Sequence, residues 1–178
     1  MEYRQIQIED AKFLTEIFSI PEYDLYFAEN ETSEQDWEER IPLFSDVPSF
    51  IVSDGNKDVG WIMYNIEDQV CFIDIIVLLP HERRKGYGKT IMQDILNCNP
   101  EICIFKLDVQ QRNLPAIAFY KGLGFQIVSE EYQPVGEGKE LYYNMQFNRY
   151  SVPHGIHTAI SGGERTAEGC AINDNVLK

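Results

Sequence analysis

The chain has 178 residues, 44% hydrophobic and 12% aromatic, enough to bury the core of one domain and too much to leave the chain disordered. Its 15 Lys and Arg against 29 Asp and Glu give a formal net charge of −14, which excludes the polyanions, nucleic acid and anionic membrane, as partners and suits a cationic one. No apolar run approaches the roughly 20 residues that span a bilayer, and the start MEYRQIQIED is charged and alternating, unlike a leader, so a cytoplasmic location is expected.

In chain order, YRQIQI alternates as a strand does. Asp10 is then expected to cap a helix that carries Phe13, Leu14, Ile17 and Phe18 on one face and ends at Pro21. A second helix is predicted over Ser33 to Phe44, with Ser33 as its cap and Trp37, Arg40, Ile41 and Phe44 in helical spacing. Three strand-like runs follow, SFIVSD, VGWIMYNI and VCFIDIIVLL, separated by the turn signals DGNKD and EDQ, the pattern of an antiparallel meander. A helix from about Gly88 to Asn97 has Ile91, Met92, Ile95 and Leu96 on one stripe. ICIFKLDV is read as a buried strand, NLPAIAFYKGLG as a helix, and FQIVSEEY and ELYYNMQF as two last strands. The order predicts a mixed α/β sheet.

From Tyr150 the composition changes. The remaining stretch is poor in aromatics, holds four of the twelve glycines and has no sustained period, so residues 150–178 are expected to be an extension of a domain formed by residues 1–149. Such an extension is easiest to understand if it packs on its own domain or on a neighbour, and a homodimer is the expectation. Cys71, Cys98, Cys103 and Cys170 form no C-x-x-C pair and no zinc spacing, so free thiols are expected. His154 and His157 have no Cys or carboxylate partners nearby in sequence, and no metal site is expected.

Two stretches carry chemistry. In RRKGYGKTIM, Arg83 to Met92, a nucleoside-triphosphate loop would need glycine where Arg83 stands, and a dinucleotide fingerprint would need glycine where Ile91 stands. What remains is a basic, glycine-interrupted turn between a β-rich run and a helix start, whose free N–H groups suit a diphosphate. In NLPAIAFYKGLGF, Asn113 is a good N-cap, Pro115 is tolerated in the first turn, and Gly122 or Gly124 supplies a left-handed exit. Tyr120, near the end of this helix, is open to either packing or chemistry.

Together these stretches resemble the GNAT superfamily of acyl-CoA-dependent N-acyltransferases. Arg83, Arg84, Lys85, Gly86, Tyr87 and Gly88 match its loop [RQ]-x-x-G-x-[GA], and Asn113, Ala116, Tyr120, Gly124 and Phe125 match its later N-x-x-A-x-x-x-Y-x-x-x-G-F segment, within a resemblance that covers roughly residues 3 to 148. The resemblance implies a mostly antiparallel sheet of about seven strands flanked by helices, and acetyl-CoA as donor, with no metal. It implies a bulged strand around Ile76 to Leu79 that splays from the next and receives the pantetheine arm, with Ile76, Val77 and Leu78 as its contacts. It also implies a diphosphate on the backbone from Arg84 to Lys89, a carbonyl held by an N–H near Val77, and Tyr120 as the acid that protonates the leaving thiolate. Asp74, three residues before Val77, is an acid in an apolar run, where it must face a cavity or a partner; base and structural roles both stay open.

The acceptor is less legible. Residues 21–46 hold nine acids against one base, Arg40, which is 9 − 1, or eight, of the net negative charges. Much of this fits solvated helix faces; any part that points into a cleft would draw a cationic small-molecule or peptide amine, with Tyr23, Tyr26 and Glu29 as candidate contacts. A non-catalytic acyl-CoA sensor of the same fold is the competing reading.

Overall fold

The computed structural model describes residues 1–19, 33–135 and 138–150. One seven-stranded sheet runs through them: β1 (Glu2–Gln5), β2 (Ser49–Asp54), β3 (Lys57–Glu67), β4 (Val70–Leu78), β5 (Ile104–Gln110), β6 (Gln126–Val135) and β7 (Gly138–Asn148), in the spatial order β1-β2-β3-β4-β5-β7-β6. Every pairing is antiparallel except β4 with β5. The helices are α1 (Ala11–Phe18), α2 (Glu34–Arg40), α3 (Tyr87–Cys98) and α4 (Leu114–Gly122).

Strand alternation sends side chains to two cores. On one face Phe50, Val52, Ile62, Tyr64, Phe105 and Met145 pack with Ile91, Met92 and Ile95 of α3 and Ile117 of α4. On the other, Ile51, Trp61 and Val77 pack with Leu14 and Ile17 of α1 and with Trp37. The second core is aromatic: Trp61 lies 5.8 Å from Trp37 in an edge contact and 5.9 Å from Phe44 in a tilted one, which hold α2 and the turn after it on the sheet. Burying one such side chain contributes about 1.5–3 kcal/mol, so the two faces together fix the strand order.

Two helix boundaries differ from expectation, for local reasons. Asp10 does not cap α1. Its carboxylate turns back to accept the Gln7 N–H at 2.8 Å and to pair with both Arg4 amino groups at 2.7 Å, because a 3-10 turn over Ile8–Asp10 precedes the helix. Ser33 does cap α2, with its hydroxyl accepting from the Asp36 N–H and the Asp36 carboxylate accepting from the Ser33 N–H. The helix then tightens into a 3-10 turn over Ile41–Phe44, since Pro42 has no N–H for an α-helical bond. Cys71 and Cys103 are free, as expected, whereas Cys98 is disulfide-bonded, contrary to the expectation, because sequence spacing does not reveal neighbours in space. Among the described residues no helix is long and apolar enough to cross a membrane.

Gly60 in β3 allows the close approach that places β4. A Cβ there would stand 2.3 Å from the Val77 carbonyl oxygen and 2.7 Å from Leu78 Cδ2. Gly60→Ala must therefore shift backbone, at a cost of at least about 2 kcal/mol, and should lower the melting temperature by about 5 °C. A melt within a degree of wild type would show that β4 yields freely.

Candidate functional site

The site originates in a one-residue irregularity. Met63 pairs with Ile75 and Tyr64 with Ile73, so Asp74 has no partner on β3 and forms a bulge. The bulge reverses the alternation: Cys71 and Ile73 face the α3 side before it, Ile76 and Leu78 after it, while Val77 turns to the opposite core. It also bends β4 away from β5. Their parallel pairing covers only Val70 to Phe72 against Ile104 to Lys106. Beyond Phe72 no strand among the described residues pairs with the β5-facing edge of β4, and its backbone groups border a cleft.

This cleft has a volume of about 670 Å³. On the α4 side it is lined by Asn113, Ala116 and Tyr120; on the opposite side by Asp74, Asp108, Gln133 and Asn144. Residues of both sheet faces therefore border one cleft. Asp74 makes no hydrogen bond or ion pair among the described residues, and its carboxyl is held above its ordinary range by partial burial and then by the nearby Asp108 charge. Asp108 is fixed in place, accepting from Asn144 Nδ2 at 2.6 Å and from Gln133 Nε2 at 3.0 Å.

Tyr120 projects from α4 between Phe119 and Phe125, with ring centroids at 5.1 and 5.7 Å. Burial alone pushes its phenol up to about 12. Its hydroxyl makes no hydrogen bond to the described residues, and the residue lines the cleft. Asn113 caps this helix, its side chain accepting the Ala116 N–H at 3.2 Å, and Gly124, at φ +97°, makes the left-handed exit.

The glycine-containing turn follows β4. Arg84 at φ +64° and Gly86 at φ +94° are both left-handed, and α3 starts at Tyr87. The N–H groups of residues 84–89 donate to no group among the described residues, leaving a row of donors at the positive end of a helix dipole. A Cβ on Gly86 would meet nothing within 4 Å, whereas a Cβ on Gly88 would lie 3.2 Å from the Phe119 ring. Gly88 is therefore where α3 touches α4, one residue from Tyr120. Lys89 lies on the first turn of α3 and is exposed.

The three cations before Gly86 take different directions. Arg83 turns inward, its Nε 3.4 Å from the Leu78 carbonyl. Arg84 is exposed. Lys85 donates to the buried carboxylate of Glu82 at 2.9 Å. Glu82 also accepts from Lys57, and these two lysines hold its carboxyl down to about 2. The groups that cover it are charged side chains rather than apolar core.

A splayed strand pair with an acid at the bulge, a tyrosine on the facing helix and a donor-rich turn thus lie close together in this fold. The acetyltransferase (GNAT) family matches residues 11–125, more than half of the chain. The chain belongs to the GNAT acetyltransferase family. Its sequence is 30% identical over 102 residues to the peptidyl-lysine N-acetyltransferase YiaC of Escherichia coli strain K12, a match that spans 54% of this chain and 66% of that relative. The GNAT fold is shared with the spermidine N-acetyltransferase of Vibrio cholerae solved with CoA and spermine (TM-score 0.69, 18% identity, 83% of this chain and 94% of that one). It is shared equally with a GNAT acetyltransferase of Bacillus anthracis (TM-score 0.69, 18% identity, 83% and 93%).

In this GNAT domain Asp74, Ile76, Asn113, Ala116 and Tyr120 lie together on one cleft. Val77 and Leu78 continue the same strand. Tyr23, Tyr26, Glu29, His154 and His157 fall outside the described residues, as does the extension beyond Tyr150. Asp108, Gln133 and Asn144 were not anticipated. Asp108 had a signal, since Phe105, Leu107 and Val109 alternate inward around it; Gln133 and Asn144, polar residues in ordinary strands, had none.

Proposed function

We propose that the protein is an N-acetyltransferase that moves an acetyl group from acetyl-CoA to a primary amine by direct transfer in a ternary complex. The observation that carries this reading is the cleft itself, which brings Tyr120 and Asp74 to one opening through the sheet beside a turn of unpaired N–H groups. The donor's diphosphate fits the backbone of residues 84–89, and its pantetheine arm fits the unpaired edge of β4 at Ile76 to Leu78. A backbone N–H near Val77 takes the carbonyl oxygen as negative charge develops. The amine enters from the Asp74 and Asp108 face. Asp74 accepts a proton from it, directly or through water, and Tyr120 donates one to the departing thiolate. Among the described residues that line the cleft there is no cysteine, and the reading includes no acyl-cysteine step.

The likeness to a peptidyl-lysine and a spermidine acetyltransferase supports a cationic amine, peptide or polyamine, as acceptor. Asp74 gives the reading a pH signature. A base works when ionised, so activity rises with pH through the Asp74 ionisation, and burial and Asp108 place that limb above the ordinary value of 3.8. Asp74→Asn should remove the limb and lower kcat by at least about tenfold. Retention of the same acid limb in Asp74→Asn, read from kcat/KM against pH, would assign the base elsewhere.

A further inference from the structure

At the inner end of a turn rich in cations sits a buried acid that the proposed chemistry does not use. The Glu82 side chain is 2% exposed, although it lies next to the surface turn. It accepts from Lys57 and from Lys85, at 2.9 Å for the latter, and His81 Nε2 stands 3.3 Å away. Lys57 is the first residue of β3, so one carboxylate ties the β2–β3 turn to the segment that follows β4. A second tie lies close by: the Tyr87 hydroxyl donates at 2.5 Å to Asp54, the last residue of β2. The β2–β3 turn therefore grips residues 82–85 on one side and Tyr87 on the other. Between the two grips lie Arg84 and Gly86 in left-handed conformations. Gly adopts that region freely, but Arg does not, and its neighbours must hold it there.

We infer that Glu82 is a positioning residue for the donor: with Lys57 and Lys85, and helped by the Asp54–Tyr87 contact, it locks residues 83–88 in their diphosphate-binding shape before the ligand arrives. This rests on the reading of that turn as the CoA site. Its physical basis is preorganisation. A turn already shaped loses little conformational freedom on binding, whereas a loose one is ordered at the ligand's expense.

Charge and shape make opposite predictions for this residue. If charge alone mattered, an acid paired with the lysine of an anion-binding turn would weaken the anion's binding, and removing it would tighten the complex. If shape matters more, Glu82→Gln loosens the complex, because the amide keeps the volume but cannot neutralise two ammonium groups. Lys57 and Lys85, 57% and 50% exposed, then repel each other and swing into solvent, and the turn loses its anchor.

Titration calorimetry with CoA on the full chain, paired with steady-state kinetics and a thermal melt, tests the inference. Glu82→Gln is expected to raise the Kd for CoA at least about tenfold. The loss should appear in the KM for acetyl-CoA, with kcat at saturating donor and the KM of the acceptor held within about threefold. Tyr87→Phe, which keeps the ring and deletes the second tie, should raise the same Kd by about threefold. Unchanged or tighter CoA binding by Glu82→Gln overturns the inference, as does a uniform fall in all kinetic constants that tracks a lowered melting temperature. If Glu82→Gln does not fold, unchanged affinity in Tyr87→Phe overturns it. A wild-type chain that binds no CoA defeats the donor reading beneath it.

Discussion

Tyr120→Phe lowers kcat by at least about tenfold while the melting temperature and CoA affinity stay near wild type. General acid help of this kind is worth 10²- to 10⁴-fold when the donor is well placed. The substitution deletes one hydroxyl, which makes no hydrogen bond to the described residues, and it keeps the ring between Phe119 and Phe125. Folding therefore loses little, and chemistry loses its proton. The phenol, pushed up to about 12 by burial, stays protonated at neutral pH. A leaving thiolate, whose conjugate acid lies near 8.5, is the weaker base, so the phenol is effective only when already hydrogen-bonded to the sulfur as the carbon–sulfur bond breaks. Steady-state kinetics under chemistry-limited conditions check this: full kcat in Tyr120→Phe at every pH would make Tyr120 a packing residue.

Gly86→Val should abolish CoA binding, with a loss of at least about a hundredfold at modest cost to the fold. A valine at φ +94° is strained by about 1–3 kcal/mol, and it adds branched bulk to the turn proposed to hold the diphosphate. Gly88→Val separates two meanings of glycine in the same turn. Its Cβ meets Phe119 at 3.2 Å, so it presses α3 away from α4 and should lower the melting temperature as well as affinity. Gly86 is thus an open turn position, whereas Gly88 is packed against the neighbouring helix. Calorimetry that finds wild-type CoA affinity in Gly86→Val removes the diphosphate from this turn.

The legible parts of the fold were those in which one local rule acts alone. Stripes at helical spacing placed α3, and turn residues between alternating runs placed the β2 to β4 meander. Asn113 and Gly124 bounded α4 by their own chemistry. Asp74 shows where such rules stop. Alternation in VCFIDIIVLL is imperfect because two phases of one strand meet there, and only the register against Met63 and Tyr64 reveals the bulge that reconciles them. Asp10 was misread for a similar reason: an acid before a helix is a cap by type, but an Arg4 six residues earlier competes for it and wins with two hydrogen bonds. The opposite wall of the cleft was hidden because Asp108, Gln133 and Asn144 come from β5, β6 and β7 and meet only through strand pairing. Glu82 reads in sequence as one acid among bases; its burial depends on a lysine 25 positions away.

The proposal that the cleft transfers acetyl groups is tested most directly by thiol release from acetyl-CoA across a panel of amines, spermidine, an aminosugar and a lysine-containing peptide among them. We expect release that depends on both the amine and the enzyme and that falls by at least about tenfold in Tyr120→Phe. Tight CoA binding with no release for any amine would contradict the account and make the protein a binder of acyl-CoA rather than an enzyme.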